Sequence, residues 1–271
     1  MKAAGGVRPL FSIVTVCLDA EAHIALALDS VLNQTSDDYE YVIADGGSTD
    51  GTLDILRAYE PRFGGRMKWL SEPDGGLYDA MNRALGRACG EYVGFVGADD
   101  RLLPRALEAV VRVVGAVPRP DIVCGGTHVV GENGSWDEAP VREDRCGLPV
   151  RIPASHQSTF VRRDALEAVG GFDLRFGIAA DYDQYLSLIE GGRSETLVGD
   201  VLSEFHLGGV SSRSALATAR EYRDARVAHG ANPAIEGLVM LKSAAAATAF
   251  ATWMRIFHRA PGWASRTGTS R

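Results

Sequence analysis

The chain has 271 residues, 46% of them apolar, which suits one α/β domain with a smaller appendage and excludes a largely disordered chain. A formal net charge of −7 argues against nucleic acid as a main partner. Cys17, Cys89, Cys124 and Cys146 lack CxxC or zinc spacing and read as buried or free thiols in a reducing compartment, and MKAAGGVRPL lacks a signal peptide's apolar core, so a cytoplasmic location is expected.

Phe11 to Cys17 is a β-rich apolar run and predicts the first strand. Ile24, Leu28, Val31 and Leu32 then share the spacing of one buried helix face. Tyr39 to Ala44 predicts a second strand ending at Asp45-Gly46-Gly47, after which Thr49 or Asp50 caps a helix carrying Leu53, Ile55 and Leu56. Met67 to Leu70 is a brief third strand, and Leu77 to Ala88 a helix closed by Gly90. Tyr92, Val93, Phe95 and Val96 form a strand of the kind buried on both faces, ending in Gly97-Ala98 and two adjacent acids, Asp99 and Asp100. Leu107, Val110, Val111 and Val114 mark another helix, and Ile122 to Cys124 another strand. Strands alternating with helices predict a mostly parallel, doubly wound α/β sheet flanked by helices.

From Gly125 to Pro153 no period is evident, and a loop of that length is expected to face substrate. Order returns with Ser155 to Val161, a helix near Arg163 to Val169, and a Gly170-Gly171-Phe172 turn. A helix from Asp181 to Ile189, a strand from Thr196 to Val201, and Phe205-His206-Leu207-Gly208-Gly209 follow. The Ala-rich tail from Leu238 to Phe257, interrupted by Lys242 and Arg255, is too weakly apolar to span a bilayer. Phe250, Trp253, Met254 and Phe257 share a helical face suited to docking on the domain, on a second copy in a homodimer, or at a membrane surface, with packing on protein favoured. The expected division is a domain over 1–212 and a C-terminal helical extension over 213–271.

Four acid-bearing stretches fall at element ends: Asp45 in ADGGSTDGT, Asp74 in EPDGGLYDAMN, Asp99-Asp100, and Asp181 with Asp183 in AADYD. An open α/β sheet binds ligands at the carboxyl ends of its strands, so Asp45, Asp74 and Asp99-Asp100 are expected to converge on one edge. Neighbouring glycines let backbone approach a ligand and leave N–H groups for phosphate, although Asp-Gly-Gly is also a plain turn. Asp99 and Asp100 read equally as a cation site or as caps of a helix started by Pro104. Trp136 fits either a sugar-stacking or a core position.

SIVTVCLDAEAHIALALDSVLNQTSDDYEYVIADGGSTDGTLDIL resembles the start of an inverting family 2 nucleotide-sugar glycosyltransferase of the GT-A (nucleotide-diphospho-sugar transferase, Rossmann-like) fold. SEPDGGLYDAMNRALGRACGEYVGFVGADD is similar to that family's next two motifs. HQSTFVRRDALEAVGGFD, IAADYDQYLSLI and FHLGGVS are similar to a subgroup of bacterial polysaccharide and glycolipid assembly. The resemblance runs from about Leu10 to Ser212.

The resemblance implies that Asp45 binds the nucleoside and that Asp74 makes a further nucleotide contact in a loop over the base. Asp99-Asp100 resemble the DxD motif, shortened to Ala-Asp-Asp, with Asp99 near the ribose and Asp100 ligating Mg²⁺ or Mn²⁺ on the diphosphate. Asp181 matches the aspartate of the Glu-Asp motif, the general base that deprotonates the acceptor hydroxyl. Ala180 replaces the usual Glu, which leaves Asp183 as the rival base, and both acids also suit a helix N-terminus. His206 is expected at the diphosphate or in the metal shell, or in a structural role, and Ser211 or Ser212 at phosphate. His156 and Gln157 are candidates to face donor sugar or acceptor. The implied partners are a UDP-, GDP- or dTDP-linked sugar and a hydroxyl acceptor, lipid-linked or small, with work at the inner face of the membrane in view.

Rivals lack their motifs. No glycine follows the first strand, against a Rossmann dinucleotide site, and GxxxxGK[ST] is missing. No Gly-rich basic N-terminal loop suits a pyrophosphorylase. A catalytically idle nucleotide-sugar-binding scaffold is the alternative from another class.

Overall fold

The computed structural model describes residues 8–115, 118–131, 134–145, 147–208 and 215–241. Cys146, Ser211, Ser212 and the apolar face predicted around Phe250 to Phe257 lie outside the described residues. Strand β1 (Phe11–Cys17) is the hub, paired in parallel with β2 (Tyr39–Asp45) and β4 (Tyr92–Phe95), while β3 (Met67–Ser71) extends the parallel set beyond β2. Every residue of β1 and β2 is buried, the consequence of helices covering both faces. Helices α1 (Ile24–Leu32), α2 (Thr52–Tyr59) and α4 (Ala106–Val114) pack on one face with Phe11, Ile13 and Tyr41. Helices α3 (Leu77–Leu85), α5 (Arg163–Ala168) and α6 (Ala180–Glu190) pack on the other, with Val14, Val16 and Val42. Polar residues inside β1 are satisfied across the sheet: Ser12 Oγ donates to Glu40 and Thr15 Oγ1 to the Val96 carbonyl.

The sheet continues through β10 (Thr159–Arg162), β6 (Ile122–Gly131), β11 (Glu195–His206) and β5 (Arg101–Leu102). β10 runs antiparallel to both β4 and β6, so the parallel order of the first four strands is interrupted there. The cause is its entry: the chain reaches β10 through His156–Ser158, at the carboxyl edge of β4, and can only run back down the sheet.

The stretch read as a loop is largely strand. β6 runs on to Gly131 and turns into β7 (Gly134–Glu138), and β8 (Asp144–Arg145) pairs with β9 (Leu148–Pro149). All five β7 residues are exposed, so no apolar alternation marks it. Gly125 suggests a turn in the sequence, yet it is a strand glycine whose Cβ would lie 2.3 Å from Leu202 Cγ. Trp136 stands on β7, 46% exposed, in neither the core nor the cleft described below.

Helix α7 (Ala215–Ala228) packs on α6, and Arg226 is its buried anchor, ion-paired to Glu236 at 3.0 Å and donating to the Pro149 and Arg145 carbonyls. His229 follows, with Nε2 3.1 Å from Asp183 and Nδ1 2.8 Å from Glu190. Bonding both carboxylates requires both ring nitrogens to carry protons, and the Asp183 hydrogen bond, then Glu190, raises the imidazole pKa. A raised folded pKa stabilises fully below the unfolded value near 6.5 and loses that stabilisation as pH rises through the folded value. Glu190 is solvent-screened, so the pair is worth about 1 kcal/mol, or about 2–4 °C of melting temperature. The gap between wild type and His229→Gln is expected to be widest near pH ~6 and to close at alkaline pH; a gap independent of pH would refute the imidazolium pairing.

Among the described residues no helix is long and apolar enough to cross a membrane.

Candidate active site

A cleft of about 590 Å³ opens at the carboxyl ends of β1 and β4. One side is the turn after β1, Leu18 to Ala20, facing Gly97 to Asp100 after β4. The other is built by Tyr78 and Met81 of α3, Phe95, His156, Asp181, and Tyr222 of α7. Asp100 and Asp181, distant in sequence, therefore share one cavity.

Asp45 lies beneath that cavity rather than on its wall, 1% exposed. Its Oδ2 accepts the Gly47 and Ser48 N–H groups at 3.0 and 2.9 Å and the Ser71 hydroxyl, and its Oδ1 accepts the Ser48 hydroxyl. Burial opposes its charge, but the Ser48 and Ser71 hydroxyls and these N–H groups outweigh it and hold the carboxyl below its ordinary pKa. The rest of the GGSTDGT motif clasps the turn after β1. Asp19 N–H donates to Ser48 Oγ, Thr49 N–H to Asp19, Glu21 N–H to Asp50 and Gly51 N–H to Glu21. Asp50 also accepts the Thr52 N–H at the start of α2, as the capping reading expects, although Gly51 holds the N-cap position. Asp19 adopts φ 48°, a left-handed conformation that its side-chain bond to Thr49 helps to hold. Asp74 closes the same corner: its Oδ2 lies 2.7 Å from the place a Cβ would occupy on Gly46, and its Oδ1 accepts the Gly76 N–H.

Asp99 and Asp100 do not cap a helix. β5 follows them and α4 begins at Ala106, beyond Pro104, with no side-chain cap. Asp100 is 2% exposed; its Oδ1 accepts the His206 N–H at 3.0 Å and its Oδ2 the Gln157 side-chain amide at 2.7 Å. Burial, with Asp99 adding repulsion, pushes its carboxyl up to about 6. Both acids fold over Gly97, where a Cβ would meet Asp100 Oδ2 at 2.4 Å and Asp99 Oδ1 at 3.0 Å, so only glycine lets the two carboxylates approach.

His206 meets Asp100 through its backbone, not its ring. Its Nδ1 donates to the Asp99 carbonyl at 2.8 Å and its Nε2 faces Glu204 at 3.4 Å. Pairing of β11 with β5 brings the His206 main chain to Asp100, and among the described residues no three His, Cys, Asp or Glu side chains converge.

Asp181 is in the first turn of α6 and faces the cleft. Its Oδ1 accepts the Tyr182 N–H at 2.8 Å and lies 3.3 Å from the Tyr78 hydroxyl, while its Oδ2 has no hydrogen-bond partner among the described residues. Asp183, the rival, is buried against His229 in a separate pocket. Two residues rotate the side chain about 200° around the helix, so the two acids cannot face one cavity.

His156 does line the cleft, stacked on Phe95 at 4.9 Å, and burial lowers its pKa. Residues that sequence reasoning did not single out also line it: Asp19, Leu18, Tyr78 and Tyr222. The carboxyl-edge rule would have found Leu18 and Asp19, which follow the first strand; Tyr78 and Tyr222 carry no local signal.

The fold is that of GT-A glycosyltransferases. A mannosyltransferase, PcManGT from Pyrobaculum calidifontis, solved with GDP-Man and Mn²⁺, superposes with TM-score 0.65 at 21% identity, over 91% of this chain and 76% of that one. S. aureus TarS 1–349 with UDP-GlcNAc gives 0.63 at 18% identity, over 86% and 71%. In sequence, a PGL/p-HBAD biosynthesis glycosyltransferase of Mycobacterium bovis is 37% identical over 176 residues, 65% of this chain and 68% of that one. The model of Glycosyl transferase family 2 matches residues 12–170, and the chain belongs to that family: it is a glycosyltransferase.

Proposed function

We propose that this chain transfers a sugar from a nucleoside-diphosphate donor to an acceptor hydroxyl with inversion, Asp181 acting as general base. The observation that carries the reading is the Oδ2 of Asp181, without a hydrogen-bond partner among the described residues, in the same cleft as Asp100. A carboxylate held by Oδ1, with Oδ2 unbonded by any described residue, would take a proton from a hydroxyl attacking the anomeric carbon. The donor lies between the turn after β1 and Gly97 to Asp100, its nucleoside against the corner that Asp45 and Asp74 organise. The complexes of the two structural relatives, with GDP-Man and Mn²⁺ and with UDP-GlcNAc, support a nucleotide-sugar donor.

Asp99 and Asp100 suit Mg²⁺ or Mn²⁺. They bring two hard oxygen donors together over Gly97, and Asp100 is a desolvated carboxylate whose burial a cation would offset. Such ions are commonly held by one or two carboxylates plus substrate phosphates. Bound there, the ion supplies positive charge to the departing diphosphate. Gln157 and the His206 N–H fix the Asp100 carboxylate, while Tyr78 and Tyr222 give the acceptor an aromatic wall beside Asp181. The name of the mycobacterial relative favours an acceptor in glycolipid or small-molecule assembly, which would put the enzyme at the cytoplasmic face of a membrane. The working unit is a 1–212 domain with α7 packed on it.

A thermal-shift screen of UDP, GDP and dTDP with Mn²⁺ selects the nucleotide, because a ligand of the folded state raises the melting temperature. Proton NMR of the transfer product made from the matching donor then reports the anomeric configuration. An inverted product is expected, and a retained one overturns the single-displacement mechanism.

A further inference from the structure

Helix α6 carries Asp181 in its first turn, yet its N-cap residue, Ala179, has no side-chain acceptor. The two N–H groups at that end are satisfied from another helix. Glu221 of α7 accepts the Ile178 N–H at 2.7 Å and the Ala179 N–H at 3.0 Å, both on Oε2. Its Oε1 lies 3.5 Å from the position of a Cβ on Gly177, so three consecutive residues fold around one carboxylate. The Tyr78 hydroxyl ties the same loop by donating to the Ile178 carbonyl at 2.7 Å. A charged acceptor on two N–H groups is stronger than a neutral cap, and it complements the positive end of the α6 dipole.

We propose that Glu221 is a positioning residue for Asp181, and that α7, which begins 45 residues beyond the end of the family match at residue 170, is part of the catalytic apparatus. This rests on the reading of Asp181 as the base. Without the carboxylate, the 177–179 loop loses the bonds that fix the first turn of α6, and Asp181 shifts relative to the acceptor oxygen. The donor side of the cleft, built from the turns after β1 and β4, does not touch Glu221 and keeps its affinity.

The test uses the full chain with Glu221→Ala, Glu221→Gln and Asp181→Asn. Glu221→Ala is expected to lower kcat by about 10–10²-fold, since a displacement of about 1 Å costs that much. Donor affinity is expected to stay within about twofold of wild type. Amide exchange at Ile178 and Ala179 should quicken. Glu221→Gln keeps an acceptor oxygen and should restore most of the rate, which a general loss of structure would not allow. It also carries the test should the alanine variant fail to fold: exchange at Ile178 and Ala179 that quickens while kcat stays at wild type overturns the proposal. A Glu221→Ala turnover within about twofold of wild type, with Asp181→Asn inactive, overturns the positioning role and leaves the base standing. An active Asp181→Asn overturns the base reading itself.

Discussion

Asp181→Asn should bind nucleotide sugar and divalent ion as wild type does, yet transfer about 10²–10⁴-fold more slowly, the usual contribution of a general base. The expectation follows from how the side chain is held. Oδ1 accepts the Tyr182 N–H, and Tyr78 spends its hydroxyl proton on the Ile178 carbonyl, so the amide oxygen of asparagine can keep the Oδ1 bond and the loop its shape. Only the basic oxygen facing the cleft is lost. Steady-state kinetics with calorimetric donor binding separates the two effects: kcat falls while Kd stays. Near wild-type turnover would remove Asp181 from the mechanism, and a loss of donor affinity in step with kcat would make it a binding residue.

Removal of the Asp100 carboxylate should have two opposite effects. Asp100→Ala is expected to lose metal-dependent donor binding, about 2–5 kcal/mol or roughly 30-fold and more, which is the range for deleting a buried charge from a charged contact. Titration of donor with and without Mn²⁺ reads this directly; unchanged affinity would defeat the metal role. Stability should move the other way. Burial pushes the Asp100 carboxyl up to about 6, so at neutral pH the fold holds a charge it disfavours. A folded pKa above the unfolded one means that stability rises as pH falls and protons are taken up. Asp100→Asn in chelator at pH ~7.5 is therefore expected to be more stable than wild type, by up to about 3 kcal/mol, with the gap narrowing as pH falls through about 6 and closing only below the unfolded value of ~4. Lower melting of the asparagine variant would show that the His206 and Gln157 bonds outweigh desolvation.

The two kinds of acid in this chain illustrate what a linear reading can and cannot assign. Asp45, Asp74 and Asp99-Asp100 were placed correctly at one edge because strand ends and glycines are local signals. Their tasks were less legible. Asp45 spends both oxygens on the loop after its own strand, and the SerThrAsp segment beside it serves as a clasp to Asp19 and Glu21. The motif shapes the corner as much as it offers contacts. His206 meets Asp100 through its N–H, a contact that strand pairing delivers and that the FHLGG stretch alone does not show.

Periodicity of apolar residues along the chain was enough to specify a layered α/β fold with acids at one rim, since neighbours in sequence decide which way a strand or helix buries its face. It also located the helix bearing Asp181 and Asp183. Which of these acids enters the cavity depends on how that helix is rotated against its surroundings, where contacts such as Glu221 to Ala179 join residues 42 apart. The reversed β10, the cap from α7 and the raised Asp100 pKa have the same origin. Each arises where distant segments pack together and exclude water, and no window along the chain contains both partners.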